Sequence, residues 1–80
     1  MTTRIQSAEY ISDNQLRLIF KNGECRLFDF SAYLNYPVYQ PLNDEEFSKQ
    51  VRVEHGTICW ENGIDFDPDR VYLESIELTK

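Results

Sequence analysis

The dipeptide Asn22-Gly23 is the feature of this sequence that most restricts its fold. Both residue types tolerate the positive φ angle that a type I′ turn requires, so the pair predicts a β-hairpin. The preceding residues, Gln15–Phe20, alternate between polar and apolar, which is typical of a strand with one buried face. A two-residue turn then determines the cross-strand partners. The expected pairs are Phe20 with Cys25, Leu18 with Leu27, and Leu16 with Asp29.

A second hairpin is expected over residues 50–61. His55-Gly56 can form its two-residue turn, because histidine is among the residue types enriched at positive φ. This turn places Val53 opposite Ile58 and Val51 opposite Trp60, so that apolar side chains share one face. The two hairpins together predict a set of buried apolar residues. They are Leu16, Leu18, Phe20, Leu27, Val51, Val53, Ile58 and Trp60.

The rest of the chain predicts one more strand and three short helical segments. Residues 3–11 indicate an N-terminal strand, and residues 38–42 are expected to be extended or irregular. Ser31 and Asp44 can cap helical turns, and Asp67-Pro68 is a favourable helix start, so helical segments are expected near 31–34, 44–48 and 68–75. The sequence therefore predicts one α+β domain over residues 1–80. Its sheet is mainly antiparallel and combines the two hairpins with the N-terminal strand.

The negative charge of the chain lies in its second half. Residues 1–42 carry equal numbers of basic and acidic side chains, so the net charge of −6 falls on residues 43–80. An acidic surface repels phosphate, and no direct binding to nucleic acid is expected. A basic protein is a more favourable partner, because opposite potentials speed encounter. The alternative interpretation is that the charge only keeps a small domain soluble.

Four acidic residues and one aromatic residue form the predicted partner-binding site. Glu61, Asp65, Asp67 and Asp69 lie within nine positions, and helix capping accounts for only part of this clustering. Tyr72, or a tyrosine of the irregular segment 33–39, is expected to serve as the aromatic anchor.

The segment from Trp60 to Asp69 also supports an alternative, a small-ligand or metal-binding domain. Asp65, Asp67 and Asp69 alternate like the first ligands of a calcium loop. Arg70 and Ile76, however, stand where such a loop needs a glycine and a glutamate. We therefore expect neither a metal ion nor a cofactor.

No catalytic residues are expected. His55 and Cys59 would not be registered partners in the second hairpin, and no third group orients them, so the chain is not expected to be an enzyme. No secretory signal and no long apolar run are visible, which favours a cytoplasmic protein with reduced thiols and no membrane contact. A second copy of the chain stays open as a partner.

Three segments resemble the bacterial family of unknown function DUF2442 over about residues 5–73. They read LRLIFKNGECRLFDFSAYL, PVYQPLNDEEFSKQVRV and GTICWENGIDFDPDRVY. The residues that carry the resemblance are Leu16, Phe20, Gly23, Asp29, Pro41, Leu42, Asp44, Phe47, Trp60, Asn62, Gly63, Asp65, Asp67, Pro68 and Tyr72.

The resemblance implies a small cytoplasmic α+β domain without an established enzyme activity. Some members of the family are encoded beside another short protein, in a pattern similar to toxin–antitoxin pairs. The function expected from charge and resemblance together is a protein–protein interaction module, acting as an acidic accessory or antitoxin-like partner of another small protein.

Overall fold

The computed structural model describes residues 3–78, which form an α+β domain. The strands are β1 (Ile5–Tyr10), β2 (Gln15–Phe20), β3 (Cys25–Asp29), β4 (Arg52–Glu54), β5 (Thr57–Cys59) and β6 (Ile76–Glu77). The helical elements are a first 3-10 helix (Ser31–Asn35), a second 3-10 helix (Pro37–Asn43), α1 (Glu45–Ser48) and α2 (Pro68–Glu74).

The strands form two antiparallel sheets. The larger one has the order β1-β2-β3-β6, and β4 pairs only with β5. The α+β class, the N-terminal strand and both hairpins are confirmed, but the second hairpin does not join the first in one sheet. It packs against the larger sheet because Ile58 and Trp60 enter the shared core. One backbone hydrogen bond of 2.9 Å, from Ile5 N to Gly56 O, connects it to β1.

The register predicted for the first hairpin is wrong by one residue. Leu16 lies opposite Phe28, and Leu18 lies opposite Arg26. Gly23 has a φ of 93°, and Phe20 N donates to Glu24 O at 2.9 Å, so the loop contains three residues and ends in a left-handed glycine. Asn22 supports this loop because its Oδ1 accepts a hydrogen bond from Glu24 N at 2.9 Å.

The register predicted for the second hairpin is confirmed. Val53 lies opposite Ile58, with Arg52 opposite Cys59. His55 has a φ of 55° and Gly56 a φ of 79°. Both central residues therefore adopt the left-handed conformation that a two-residue type I′ turn requires.

The three predicted helical segments are confirmed, although their capping differs in part. Asp44 caps α1 by accepting from Glu46 N at 3.1 Å. Ser31 does not cap the first 3-10 helix; its own N donates to Asp29 Oδ1 at 2.8 Å. The segment expected to be irregular forms the second 3-10 helix, since Pro37 and Pro41 restrict φ to values that this helix also uses.

The core lies between the larger sheet and the elements that follow it. Its buried apolar residues are Ile5, Leu16, Leu18, Phe20, Phe28, Phe30, Leu42, Ile58, Trp60, Ile64, Phe66 and Val71. Three residues expected in the core, Leu27, Val51 and Val53, are only half-buried. The one-residue shift explains Leu27, because it turns that side chain to the opposite face and brings Phe28 inward.

Within residues 3–78, no helix has the length and apolar character that crossing a bilayer requires.

Candidate functional site

A tight turn after β5 presents two of the predicted site residues. Gly63 N donates to Trp60 O at 3.1 Å, and Trp60 N donates to Ile64 O at 2.8 Å. Buried Trp60 and Ile64 hold the two ends of this turn, which leaves Glu61 and Asp65 exposed on either side of it.

Glu61 and Asp65 line an open groove of about 300 Å³ beside the second hairpin. Arg52, His55 and Cys59 line the same groove, and Arg52 pairs with Glu54 at 3.4 Å. The groove therefore presents one guanidinium, one imidazole and several carboxylates to solvent.

Asp67 and Asp69 lie at the start of α2 and do not line the groove. Asp67 occupies the N-cap position as predicted, but its side chain makes no capping hydrogen bond. Asp69 Oδ1 accepts a long hydrogen bond of 3.4 Å from Thr3 N. Helix capping consequently explains less of the acidic cluster than the sequence indicates.

The four carboxylates are exposed, and no cation of the described residues pairs with them. None of Glu61, Asp65, Asp67 and Asp69 forms an ion pair with a basic side chain of residues 3–78. We use the name acidic face for these four residues, of which Glu61 and Asp65 line the groove and Asp67 and Asp69 lie at the start of α2. Its charge is left for solvent or for another molecule to balance.

Tyr72 is engaged inside the fold. Its hydroxyl donates to Glu24 Oε1 at 2.8 Å, and its ring meets the Phe20 ring edge-on at 5.2 Å between centroids. The Arg26 guanidinium lies 4.2 Å from the centre of the Tyr72 ring. The hydrogen bond from Tyr72, and after it the one from Arg26, lowers the pKa of Glu24. Tyr72 therefore joins α2 to the larger sheet.

Tyr39 is the aromatic side chain that lies beside the acidic face. Its ring stacks on Phe66 at 4.8 Å with an interplanar angle of 18°. Phe66 lies between Asp65 and Asp67 in the chain, so this stack places Tyr39 beside the acidic face. Burial raises the pKa of Tyr39, and the negative charge of Asp65 raises it further. Neighbouring Tyr36 and Val38 are exposed by 57% and 63%. Tyr39 and Asp65 are 26 positions apart in the chain, and only the general expectation that a loop tyrosine serves as the anchor anticipated the place of Tyr39 beside the acidic face.

The three alternating aspartates do not converge on a common point. Across residues 3–78, no group of three His, Cys, Asp or Glu side chains is arranged to hold a metal ion.

Comparison with protein-family models gives one match, to a family described as a protein of unknown function (DUF2442), over residues 5–77. No match was found among the curated proteins or among the solved structures. The matched residues include both sheets, all the helical elements and the acidic face. This chain therefore belongs to the DUF2442 family.

Proposed function

We propose that this chain is a protein–protein interaction module, the acidic accessory or antitoxin-like partner of another small protein whose surface is basic. One observation carries the proposal: four exposed carboxylates of the acidic face have no basic partner within residues 3–78. Close like charges repel one another, and a basic partner relieves that repulsion while it gains attraction. In this proposal the chain has no catalytic role and acts in the bacterial cytoplasm, without nucleic acid or membrane.

The anchor of this docking surface is Tyr39, with exposed Tyr36 and Val38 beside it. Exposed carboxylates at a rim contribute little each, whereas a packed aromatic contact contributes about 2 kcal/mol or more. Tyr72 contributes less to a partner, because its hydroxyl and one ring face are already used within the fold. The acidic face then steers the encounter, and the tyrosines hold the complex.

The test begins with identification of the partner by pull-down from the native cell, followed by measurement of association rates at low and high salt. Asp65→Asn/Asp69→Asn is expected to slow association by about threefold to tenfold at low salt, and high salt should remove that difference. Glu45→Gln/Glu46→Gln, which removes the same charge from α1, is the matched control and should change the rate less. An association rate that changes neither with salt nor with Asp65→Asn/Asp69→Asn would contradict the proposal.

A small-ligand site in the groove is the second candidate. It is favoured by the combination of Arg52, His55 and Asp65 around one open volume of about 300 Å³. A ligand held there would raise the melting temperature of the isolated chain, because it would bind the native state alone. A basic protein partner requires no such small molecule, so thermal denaturation with and without candidate ligands separates the two functions.

A further inference from the structure

The outer face of the larger sheet carries apolar side chains that no other element of the described chain covers. Along β2, Leu16, Leu18 and Phe20 point into the core, while Arg17 and Ile19 point outward and are exposed. Helix α2 and the second hairpin bring Val71, Ile58 and Trp60 to the same core, so they pack on the inner face.

The observed register brings five outward side chains together. Ile19 lies opposite Cys25, and Leu27 lies opposite Ile76. Leu78 N donates to Cys25 O at 2.8 Å, which places Leu78 in the same row as Ile19 and Cys25. Directly opposed residues of an antiparallel pair share a face of the sheet. We call these residues the outer stripe: Ile19, Cys25, Leu27, Ile76 and Leu78.

The outer stripe is accessible to another molecule. Ile19, Ile76 and Leu78 are exposed by 40%, 68% and 36%, and Cys25 and Leu27 are half-buried. Contiguous apolar side chains of this kind on a small domain are typical of interaction sites.

Beside the outer stripe, Glu9 and Arg17 compensate each other's charge, and Asp29 adds one carboxylate without a basic partner among residues 3–78. Glu9 lies opposite Arg17 on the same side of the sheet, and Arg17 Nη2 pairs with Glu9 Oε1 at 2.6 Å. Asp29 lies at the far end, where its carboxylate accepts the hydrogen bond from Ser31 N. A basic partner would gain little attraction here. A neutral, apolar surface fits better, and the outer face of a second copy has that character.

We propose that the outer stripe is a homodimer interface in which two copies pack their larger sheets face to face. A twofold interface uses the same patch on both copies, so the patch must be compatible with itself. The stripe residues of β3, the middle strand of the stripe, then lie at the centre, with Ile76 on the edge strand β6 and the Glu9–Arg17 pair toward the rim. Two stacked sheets approach to about 10 Å, which lets the stripe residues of both copies interdigitate.

The size of the face predicts a weak dimer. The four strands have six, six, five and two residues, and at about 4.8 Å spacing and about 3.3 Å rise they give a footprint of about 300 Å². A standard stable interface buries about 800 Å² on each partner, so the dissociation constant is expected between about 10 µM and 1 mM. This inference does not depend on the proposed binding of a basic protein, which uses a different surface.

The test is sedimentation equilibrium of the full chain, under reducing conditions, from about 10 µM to about 1 mM. The average mass should rise from that of one chain toward that of two. Ile76→Asp should weaken the dimer by about tenfold or more, because it places a charge among the apolar contacts of the stripe. Val38→Asp is the control, since Val38 is 63% exposed and lies on the second 3-10 helix, and it should leave the mass unchanged.

Added salt provides a second criterion. Each chain carries a net charge of −6, so screening should strengthen the dimer while it slows association with a basic partner. The two proposals can therefore fail separately.

A further measurement keeps the test valid if Ile76→Asp disturbs β6. In the unmodified chain, amide chemical shifts of β2, β3 and β6 should move with concentration, whereas those of the second 3-10 helix should not. Ile19→Thr keeps a β-branched side chain on β2 and should also weaken the dimer. A chain that stays monomeric at about 1 mM, or equal weakening by Val38→Asp, would overturn the proposal.

Discussion

Trp60 is a buried residue that joins several elements through both its ring and its indole N–H. Its ring is 1% exposed and lies 6.3 Å from Phe30 and 5.9 Å from Phe66 between ring centroids. Its Nε1 donates to Ser48 O at 3.1 Å, and buried Ser48 donates through Oγ to Leu42 O at 2.8 Å. One side chain thus ties the second hairpin to α1 and to the end of the second 3-10 helix.

Replacement of this residue should be among the most destabilising in the chain. Trp60→Ala is expected to lower the free energy of unfolding by about 3–5 kcal/mol, because it removes a buried ring and leaves a cavity. Trp60→Phe should cost less, since it keeps a ring and loses the hydrogen bond to Ser48 O. Denaturant titration of both variants measures this order, and a loss below about 1 kcal/mol for Trp60→Ala would contradict the packing described above.

Tyr33 makes the stability of the domain sensitive to alkaline pH. Its hydroxyl donates to Glu74 Oε1 at 2.6 Å, and burial, followed by this hydrogen bond, raises the pKa of Tyr33 to about 12. An unfolded tyrosine ionises near pH 10, so the contribution of Tyr33 is complete below about pH 10 and is lost as the pH rises toward 12.

Tyr33→Phe should therefore be less stable at neutral pH, by about 1 kcal/mol for the lost hydrogen bond, and should lose less stability on going to about pH 11. Tyr39 and Tyr72 also have raised pKa values, so the alkaline loss should shrink and not disappear. Denaturant titrations at about pH 8 and about pH 11 measure the two losses. Identical losses in the two proteins would contradict this role of Tyr33.

At the scale of elements, the two hairpin turns differ in what surrounds them. Gly56, with a φ of 79°, faces the side chain of Arg4, whose Nη1 donates to His55 O at 2.7 Å. Gly23 has a φ of 93°, and no atom of the described residues lies within 4 Å of the position that a Cβ would take there. A side chain added at either position meets backbone strain, but only at Gly56 does it also meet a neighbour.

Gly23→Ala is expected to cost about 1–2 kcal/mol of unfolding free energy, the usual cost of a left-handed conformation in a residue with a Cβ. Gly56→Ala should cost more, because the methyl group displaces Arg4 from its contact with His55 O. Thermal or denaturant unfolding of both variants gives the comparison. In an Arg4→Ala background the two costs should become similar, and a persisting difference would show that Arg4 is not its cause.

Helix α2 is joined to the larger sheet through polar contacts as well as apolar ones. Arg26 on β3 donates from Nε to Ser75 Oγ at 2.6 Å and from Nη2 to Ser75 O at 3.0 Å. With the Arg26–Tyr72 contact, these bonds direct the chain after α2 into β6. The position of Ile76 on the outer stripe depends on this connection.

At the scale of the whole molecule, the domain separates its charge from its apolar surface. The acidic face has carboxylates near the groove and at the start of α2 that no basic side chain of residues 3–78 pairs with, whereas the outer stripe lies beside the Glu9–Arg17 ion pair. Salt weakens attraction between opposite charges and also weakens repulsion between like charges. The opposite salt responses predicted above for basic-partner binding and for self-association are thus two consequences of one charge distribution.

Much of the local structure could be predicted from the sequence. The alternation in Gln15–Phe20 located β2 and its buried side, and His55-Gly56 determined the register of the second hairpin. Asp44 and Asp67-Pro68 located the starts of α1 and α2. These predictions succeeded because each depends on the preferences of residues that lie close together in the chain.

What only the tertiary structure decided was which side chains meet across long separations. Asn22-Gly23 is compatible with both a two-residue and a three-residue loop, and the choice between them decides whether Leu27 or Phe28 enters the core. Phe28 enters, and its ring packs edge-on against Phe66 at 5.5 Å. The hydrogen bond between Tyr72 and Glu24, the stacking of Tyr39 on Phe66 and the outer stripe all depend on similarly distant contacts. Their energies come from burial and charge in the assembled fold, and no local pattern of residues encodes those quantities.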